Sequence, residues 1–133
     1  MQSKFGTPWI CLLSLWGRAA GLALIGLGNV PLRDFDEGTV ARVALELSKG
    51  LGEAPLLPTL WGEPYLNKGP GLHSLIGLVI RQTSGTEQLP SEGLVRLVPA
   101  LLSSLVVPLG GLLQWRLRPG ERSSCLATSL LLL

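Results

Sequence analysis

Charge is scarce in this chain: of its 133 residues, 15% are Asp, Glu, Lys or Arg against 47% hydrophobic, and 11 basic and 9 acidic side chains leave a net charge of only +2. The basic residues are scattered rather than gathered into a stripe, so the electrostatic footprint of a nucleic-acid interface is missing. Cysteine is as sparse. Cys11 and Cys125 lie far apart inside apolar runs without metal-ligand spacing, which argues against a disulfide framework or a zinc site and leaves both as small core or lipid-facing residues. No glycine-rich phosphate loop and no serine-nucleophile motif occurs. What the chain has instead is hydrophobic sequence. A mean hydropathy of +0.42 is too apolar for an ordinary soluble domain of this size, and the expected class is an all-α integral membrane protein.

Trp9 to Val30 is a run of 22 residues with one charge, Arg18. At ~1.5 Å of rise per residue it would cross the ~30 Å hydrocarbon core as a helix. An arginine near the middle costs about 2.5–3.5 kcal/mol there, so Arg18 is expected to turn inward toward a neighbouring helix. A cleaved signal peptide is the competing reading, although the run is long, Lys4 is the only charge before it, and no small-x-small cleavage site closes it. The second expected span is Leu94 to Trp115, again 22 residues, with Arg96 near its start and Arg116, Arg118 and Arg122 beyond its end. The positive-inside rule puts that end in the cytoplasm, so the first helix runs outward, the second returns, and residues 31–92 form a long extracytoplasmic loop. Within it, Leu72 to Ile80 is an apolar stretch of nine residues, read as an interfacial helix; a tilted span over 69–85 is the alternative and would reverse the later topology. Residues 125–133 make about nine residues, or ~14 Å, of a partial third span, so the sequence reads as the N-terminal part of a larger transmembrane domain.

The loop carries the chemistry. Asp34 to Lys49 has Val40, Val43, Ala44 and Leu47 at helical spacing, Lys49 in its last turn and Gly50 as a stop, which predicts an amphipathic helix lying flat on the bilayer. Asp34 and Glu37 fit a capping box, so the cluster Asp34, Asp36 and Glu37 reads either as helix capping or as a reactive carboxylate site. Trp61, Tyr65, Asn67, Lys68 and His73 stand among Pro55, Pro58, Pro64 and Pro70, which hold the connection in extended and turn geometry. Lys68 is either a phosphate-binding cation or a solvated side chain touching lipid headgroups, and His73 reads as a packed residue before a catalytic one. Trp9, Trp16, Trp61 and Trp115 read as interfacial anchors or packing.

The order of these elements resembles the N-terminal segment of the GT-C membrane glycosyltransferases, in particular bacterial relatives of dolichyl-phosphate-mannose protein mannosyltransferases and lipid A aminoarabinose transferase. The matching residues are Pro31-Leu32, Asp36-Glu37, Gly50, Pro58-Thr59-Leu60-Trp61-Gly62-Glu63-Pro64-Tyr65, Asn67-Lys68-Gly69-Pro70 and Arg96-Leu97-Val98-Pro99-Ala100, within residues 9–118. Thr39 and Val40 stand where relatives often carry Arg and Tyr, Gly69 replaces a proline, and His73-Ser74 replaces an aromatic pair. The resemblance implies transfer of a sugar from a polyprenyl-phosphate donor to an acceptor hydroxyl, generally with inversion, at the outer face of the bacterial plasma (inner) membrane. It makes Asp36 the catalytic base, Glu37 its support and Lys68 the donor-phosphate ligand, with Tyr65, Asn67 and Arg96 as candidate substrate-binding residues. A divalent metal at Asp36 is compatible with the chemistry but is not demanded by any ligand spacing. Because that family encloses its donor with a second acidic loop and later helices, the 133 residues alone are expected to be inactive. A small non-enzymatic membrane protein or accessory subunit keeping the loop as a binding surface is the alternative, and a secreted soluble protein is a third.

Overall fold

The computed structural model describes residues 9–33, 35–50, 57–83, 90–119 and 121–133, and these are mostly helical. In chain order they form α1 (Trp9–Leu24), α2 (Glu37–Gly50), a hairpin of β1 (Thr59–Leu60) and β2 (Glu63–Pro64), α3 (Pro70–Thr83), α4 (Glu92–Ser104), α5 (Val106–Leu117) and α6 (Arg122–Leu131). Two compact units result, one built from α1, α5, α6 and the end of α4, the other spanning Gly26–Pro99.

The first helix is shorter than the apolar run that encodes it. α1 has 16 residues, about 24 Å at the usual rise, where the sequence predicts a span over 9–30. Beyond Leu24 the chain turns: the Ile25 N–H donates to the Leu22 carbonyl at 3.2 Å, the Asn29 N–H to the Gly26 carbonyl at 3.0 Å, and Gly26 takes φ +73°. That left-handed backbone is open to glycine and stops the helix while the side chains are still apolar. Among the described residues the one run long and apolar enough to cross a bilayer is Glu92–Leu117, 26 residues made of α4 and α5. It contains the expected 94–115 segment. α4 passes into α5 through Leu105, where Pro108 has no N–H to offer the Ser104 carbonyl and the Leu105 N–H bonds back to Leu102 at 3.2 Å.

In the unit containing α1, Leu15 and Ala19 pack on Val107, with Leu126 of α6 beside them. α5 and α6 meet closely at Gly111, where a Cβ would run into Ser129 Oγ, lie 2.7 Å from Leu12 Cδ2 and 3.2 Å from the Cys125 carbonyl. Buried Ser129 donates to the Val107 carbonyl at 3.0 Å, and Trp16 Nε1 donates to Ser104 Oγ at 3.0 Å. Arg18 is exposed, not turned inward: Leu12, Leu15 and Ala19 take the buried face of α1, and position 18 falls off that stripe.

In the unit spanning Gly26–Pro99, the apolar stripe of α2 is covered by protein. Ala44 and Leu45 form a core with Ile76 and Ile80 of α3 and Val98 of α4, flanked by Val40 and Val79. The sequence predicts that α2 lies on the bilayer; instead α3 takes its apolar face, and Gly77 permits the approach by bringing α3 against the Ala44 carbonyl. α3 has 14 residues, longer than the nine-residue apolar stretch that predicts it, because Pro70 starts the helix and polar Arg81 to Thr83 extend it.

Candidate functional site

Arg96 organises the site from the first turns of α4. Its guanidinium has five N–H groups in a rigid fork. Nε donates to Glu37 Oε1 at 3.0 Å and Nη2 to Glu37 Oε2 at 2.6 Å, a two-point ion pair. Nη1 donates to the carbonyls of Leu27 at 2.8 Å and Val30 at 2.7 Å, and Nη2 to that of Pro31 at 3.0 Å. All five donors are thereby occupied. The unwinding of the chain after Leu24 has a use here, since it leaves the carbonyls of Leu27, Val30 and Pro31 outside a helix and turned to one cation. Arg96, a candidate substrate ligand by sequence, has a positioning geometry: it ties the segment before α2 to α4 and fixes where α2 begins.

Glu37 is the first residue of α2 and also receives the Arg33 N–H at 3.0 Å. The reach-back half of a capping box is therefore present, with Arg33 as donor, while Asp34, its proposed partner, lies outside the described residues. The hydrogen bond from Arg96, then that from Arg33, holds the Glu37 carboxyl at about 2, well below the ordinary 4.5. A depressed folded value means that the unfolded chain binds the proton first as pH falls. Stability from this carboxylate is complete above about pH 5 and lost between about 4.5 and 2. In a pH series of thermal unfolding, the gap in midpoint between the wild type and Glu37→Gln is expected to close over that interval; a gap unchanged down to pH 2 would show the pairing does not persist in solution.

A second carboxylate, which the sequence does not single out, holds the hairpin in place. Glu46 accepts from Arg42 Nε at 2.7 Å and the Trp61 N–H at 3.0 Å through Oε1, and from Thr59 Oγ1 at 2.7 Å and the Gly62 N–H at 3.2 Å through Oε2. Desolvation pushes its pKa up, but the bonds from Thr59, Gly62, Arg42 and Trp61 together outweigh this and lower it. The two turn residues of the hairpin have φ +58° at Trp61 and +85° at Gly62, the geometry of a two-residue turn that suits strand twist. A left-handed tryptophan costs about 1–2 kcal/mol. Glu46 offsets this by taking both turn N–H groups, and Arg42 stacks on the indole with its guanidinium carbon 4.2 Å from the ring centroid. The Leu60 to Glu63 pairing and the Tyr65 N–H to Pro58 carbonyl bond of 2.8 Å then fix the chain where it leaves the hairpin toward Lys68.

His73 closes that segment from beneath. It is 1% exposed, edge-on to Tyr65 with ring centroids 6.2 Å apart, and its Nδ1 is 3.3 Å from the Gly69 carbonyl. A carbonyl only accepts, so Nδ1 is the donor in this contact, and Nε2 is buried with no partner among the described residues. The packed reading of His73 is what the geometry displays.

Two adjoining cavities result. The smaller, about 170 Å³, is walled by Asp36, Glu37, Lys68 and Arg96 with Val40, Leu72, Val95 and Pro99. The larger, about 410 Å³, is walled by Phe35, Asp36, Thr39, Leu60, Tyr65, Asn67 and Lys68. All six candidate residues of the sequence thus border one or both, and Asp36 and Lys68 border both. Both side chains are exposed, and among the described residues neither has a hydrogen-bond or ion-pair partner. Glu37 and Arg96 are consumed by each other and the backbone, whereas Asp36 and Lys68 are free for a ligand. Among the described residues no three His, Cys, Asp or Glu side chains are placed to hold a metal ion. No protein-family model, curated protein or solved structure matches the chain.

Proposed function

We propose that the loop face of the Gly26–Pro99 unit binds a polyprenyl-phosphate-linked sugar and belongs to a membrane glycosyltransferase of the GT-C kind. The observation that carries this reading is the pair Asp36 and Lys68. A free carboxylate and a free ammonium, from segments more than thirty residues apart, border the same two cavities. Sugar transfer needs both groups. As the acceptor oxygen bonds to the anomeric carbon, its proton passes to the Asp36 carboxylate, while the bond from that carbon to the phosphate oxygen breaks and its electron pair leaves on the phosphate. Lys68 offsets the charge on the departing phosphate. Glu37 supports Asp36 from the next position in the chain, held by Arg96, and Tyr65 and Asn67 flank the larger cavity as an aromatic wall and an amide suited to sugar hydroxyls. In this reading the Glu92–Leu117 run crosses the bilayer and the site faces outward.

Donor binding tests it. With the chain in detergent or nanodiscs, a polyprenyl-phosphate sugar is expected to bind, and Lys68→Ala to weaken it by about tenfold, the scale of one charge-assisted hydrogen bond. Asp36→Asn is expected to leave binding unweakened, since its charge does no favour to an anionic donor. Equal affinity for the uncharged polyprenol, or indifference to Lys68→Ala, would sink the reading.

A further inference from the structure

We propose that a second site, where the start of α1 meets the end of α5, binds the phosphate group of an anionic membrane phospholipid. The proposal rests on the membrane reading above and on a separate set of residues. Leu15 and Ala19 of α1 pack on Val107 of α5, and Trp9 shares a cavity with the far end of α5, so the two helices run antiparallel. That places Trp9 and Trp115 at one end, on a cavity of about 530 Å³ that Leu112, Arg116 and Pro119 also line. Such a volume lies within the usual range of small-ligand sites.

The chemistry of the walls selects the ligand. Two tryptophans and an arginine border this cavity, and among the described residues no carboxylate, hydroxyl or amide side chain does. Among the described residues Trp9, Trp115 and Arg116 have no hydrogen-bond or ion-pair partner, whereas Trp16 donates to Ser104 and Arg118 lies 3.7 Å from Glu121. Polar donors without acceptors call for an anion. The remaining walls, Leu112, Pro119 and the indole faces, are apolar and call for hydrocarbon attached to it. A phospholipid headgroup supplies both, with the phosphate on the guanidinium fork and the glycerol and acyl carbons against the rings. Inorganic phosphate would use the fork alone. The location agrees with this source, because this is the end that the positive-inside rule puts at the cytoplasmic headgroups, where tryptophan also concentrates.

The test uses the full chain in phosphatidylcholine vesicles holding a minority of phosphatidylglycerol, with tryptophan fluorescence quenched by bromine on the acyl chains of one lipid or the other. The wild type is expected to be quenched by brominated phosphatidylglycerol as though that lipid were enriched about tenfold, the scale of one charge-assisted hydrogen bond from the guanidinium to the phosphate. Arg116→Gln is expected to bring quenching down to the bulk proportion, and Arg118→Gln, outside the cavity, to keep the enrichment. Equal quenching of wild type and Arg116→Gln, with brominated phosphatidylcholine still quenching, would overturn the site while leaving the membrane reading intact. Loss of the enrichment when inorganic phosphate is added at constant ionic strength would overturn it too, in favour of a soluble ligand. Quenching by neither lipid would instead remove the membrane reading.

Discussion

Arg96→Lys is expected to damage this protein nearly as much as Arg96→Met, although it keeps the charge. Five N–H donors leave the wild-type guanidinium in fixed directions toward both Glu37 oxygens and the carbonyls of Leu27, Val30 and Pro31. A lysine ammonium has three donors on a flexible stem and cannot fill a planar two-point pair while also serving three carbonyls. The carbonyls are the reason the loss is large. They lie where α1 has ended and α2 has not begun, so no helix partner waits for them, and the half-buried Leu27 carbonyl, unlike the exposed ones of Val30 and Pro31, cannot turn to water without cost. The unfolding midpoint is expected to fall by roughly 5 °C or more in both variants. Donor binding is expected to fall with it while Lys68 and Asp36 stand untouched, because the segment carrying Asp36 and Glu37 loses its anchor. A cycle with Glu37→Gln separates anchor from ligand: the two substitutions act on one network and together should cost much less than their sum. An Arg96→Lys protein with wild-type melting and binding would show that the fork is not what holds the site.

The path to this site was partly legible in the sequence. The helical spacing of Val40, Val43, Ala44 and Leu47 shows in α2, and the prolines around Lys68 point to a connection held in extended and turn geometry, as the hairpin and the Pro70 start of α3 show. What the sequence hid were the ends and partners. Ile25, Leu27 and Val30 continue the hydropathy of α1, so a periodicity argument runs through them, while Gly26 turns the backbone and exposes the carbonyls that Arg96 takes. Likewise the stripe of α2 reads as bilayer-facing because nothing in one segment tells which apolar surface will cover it; α3 does so. Glu46 was missed for a related reason. Its pairing with Arg42 four residues earlier is visible as an ordinary helix-surface pair, but its second role depends on Thr59, thirteen residues on, and on a Trp-Gly turn fifteen and sixteen residues on, recognisable only as the glycine of a two-residue hairpin.

Gly77→Leu is expected to lower stability by about 2–3 kcal/mol, at the upper part of the range for overpacking a close helix contact. Propensity alone predicts the opposite sign, since glycine inside a helix is about 1 kcal/mol worse than alanine. Here geometry decides. A Cβ at position 77 would lie 2.8 Å from the Ala44 carbonyl and 3.3 Å from the Ser48 N–H, both backbone atoms that no rotamer change can move. Even Gly77→Ala must therefore push α3 away from α2, opening the core of Ala44, Leu45, Ile76 and Ile80. The same helix contains its own control. A Cβ at Gly71 meets nothing within 4 Å, so Gly71→Ala is expected to be neutral or stabilising, by up to about 1 kcal/mol. Measured side by side in denaturant, opposite signs at the two glycines would locate the contact that seats α3. Equal signs would mean that α2 and α3 do not approach through Gly77. The separation matters for the site, because α3 begins immediately after Lys68 and Gly69 and buries His73 against Tyr65. Displacing α3 should move the lysine relative to Asp36, so a Gly77→Leu protein that remains folded is expected to bind the phosphate donor more weakly without any change in the groups that touch it.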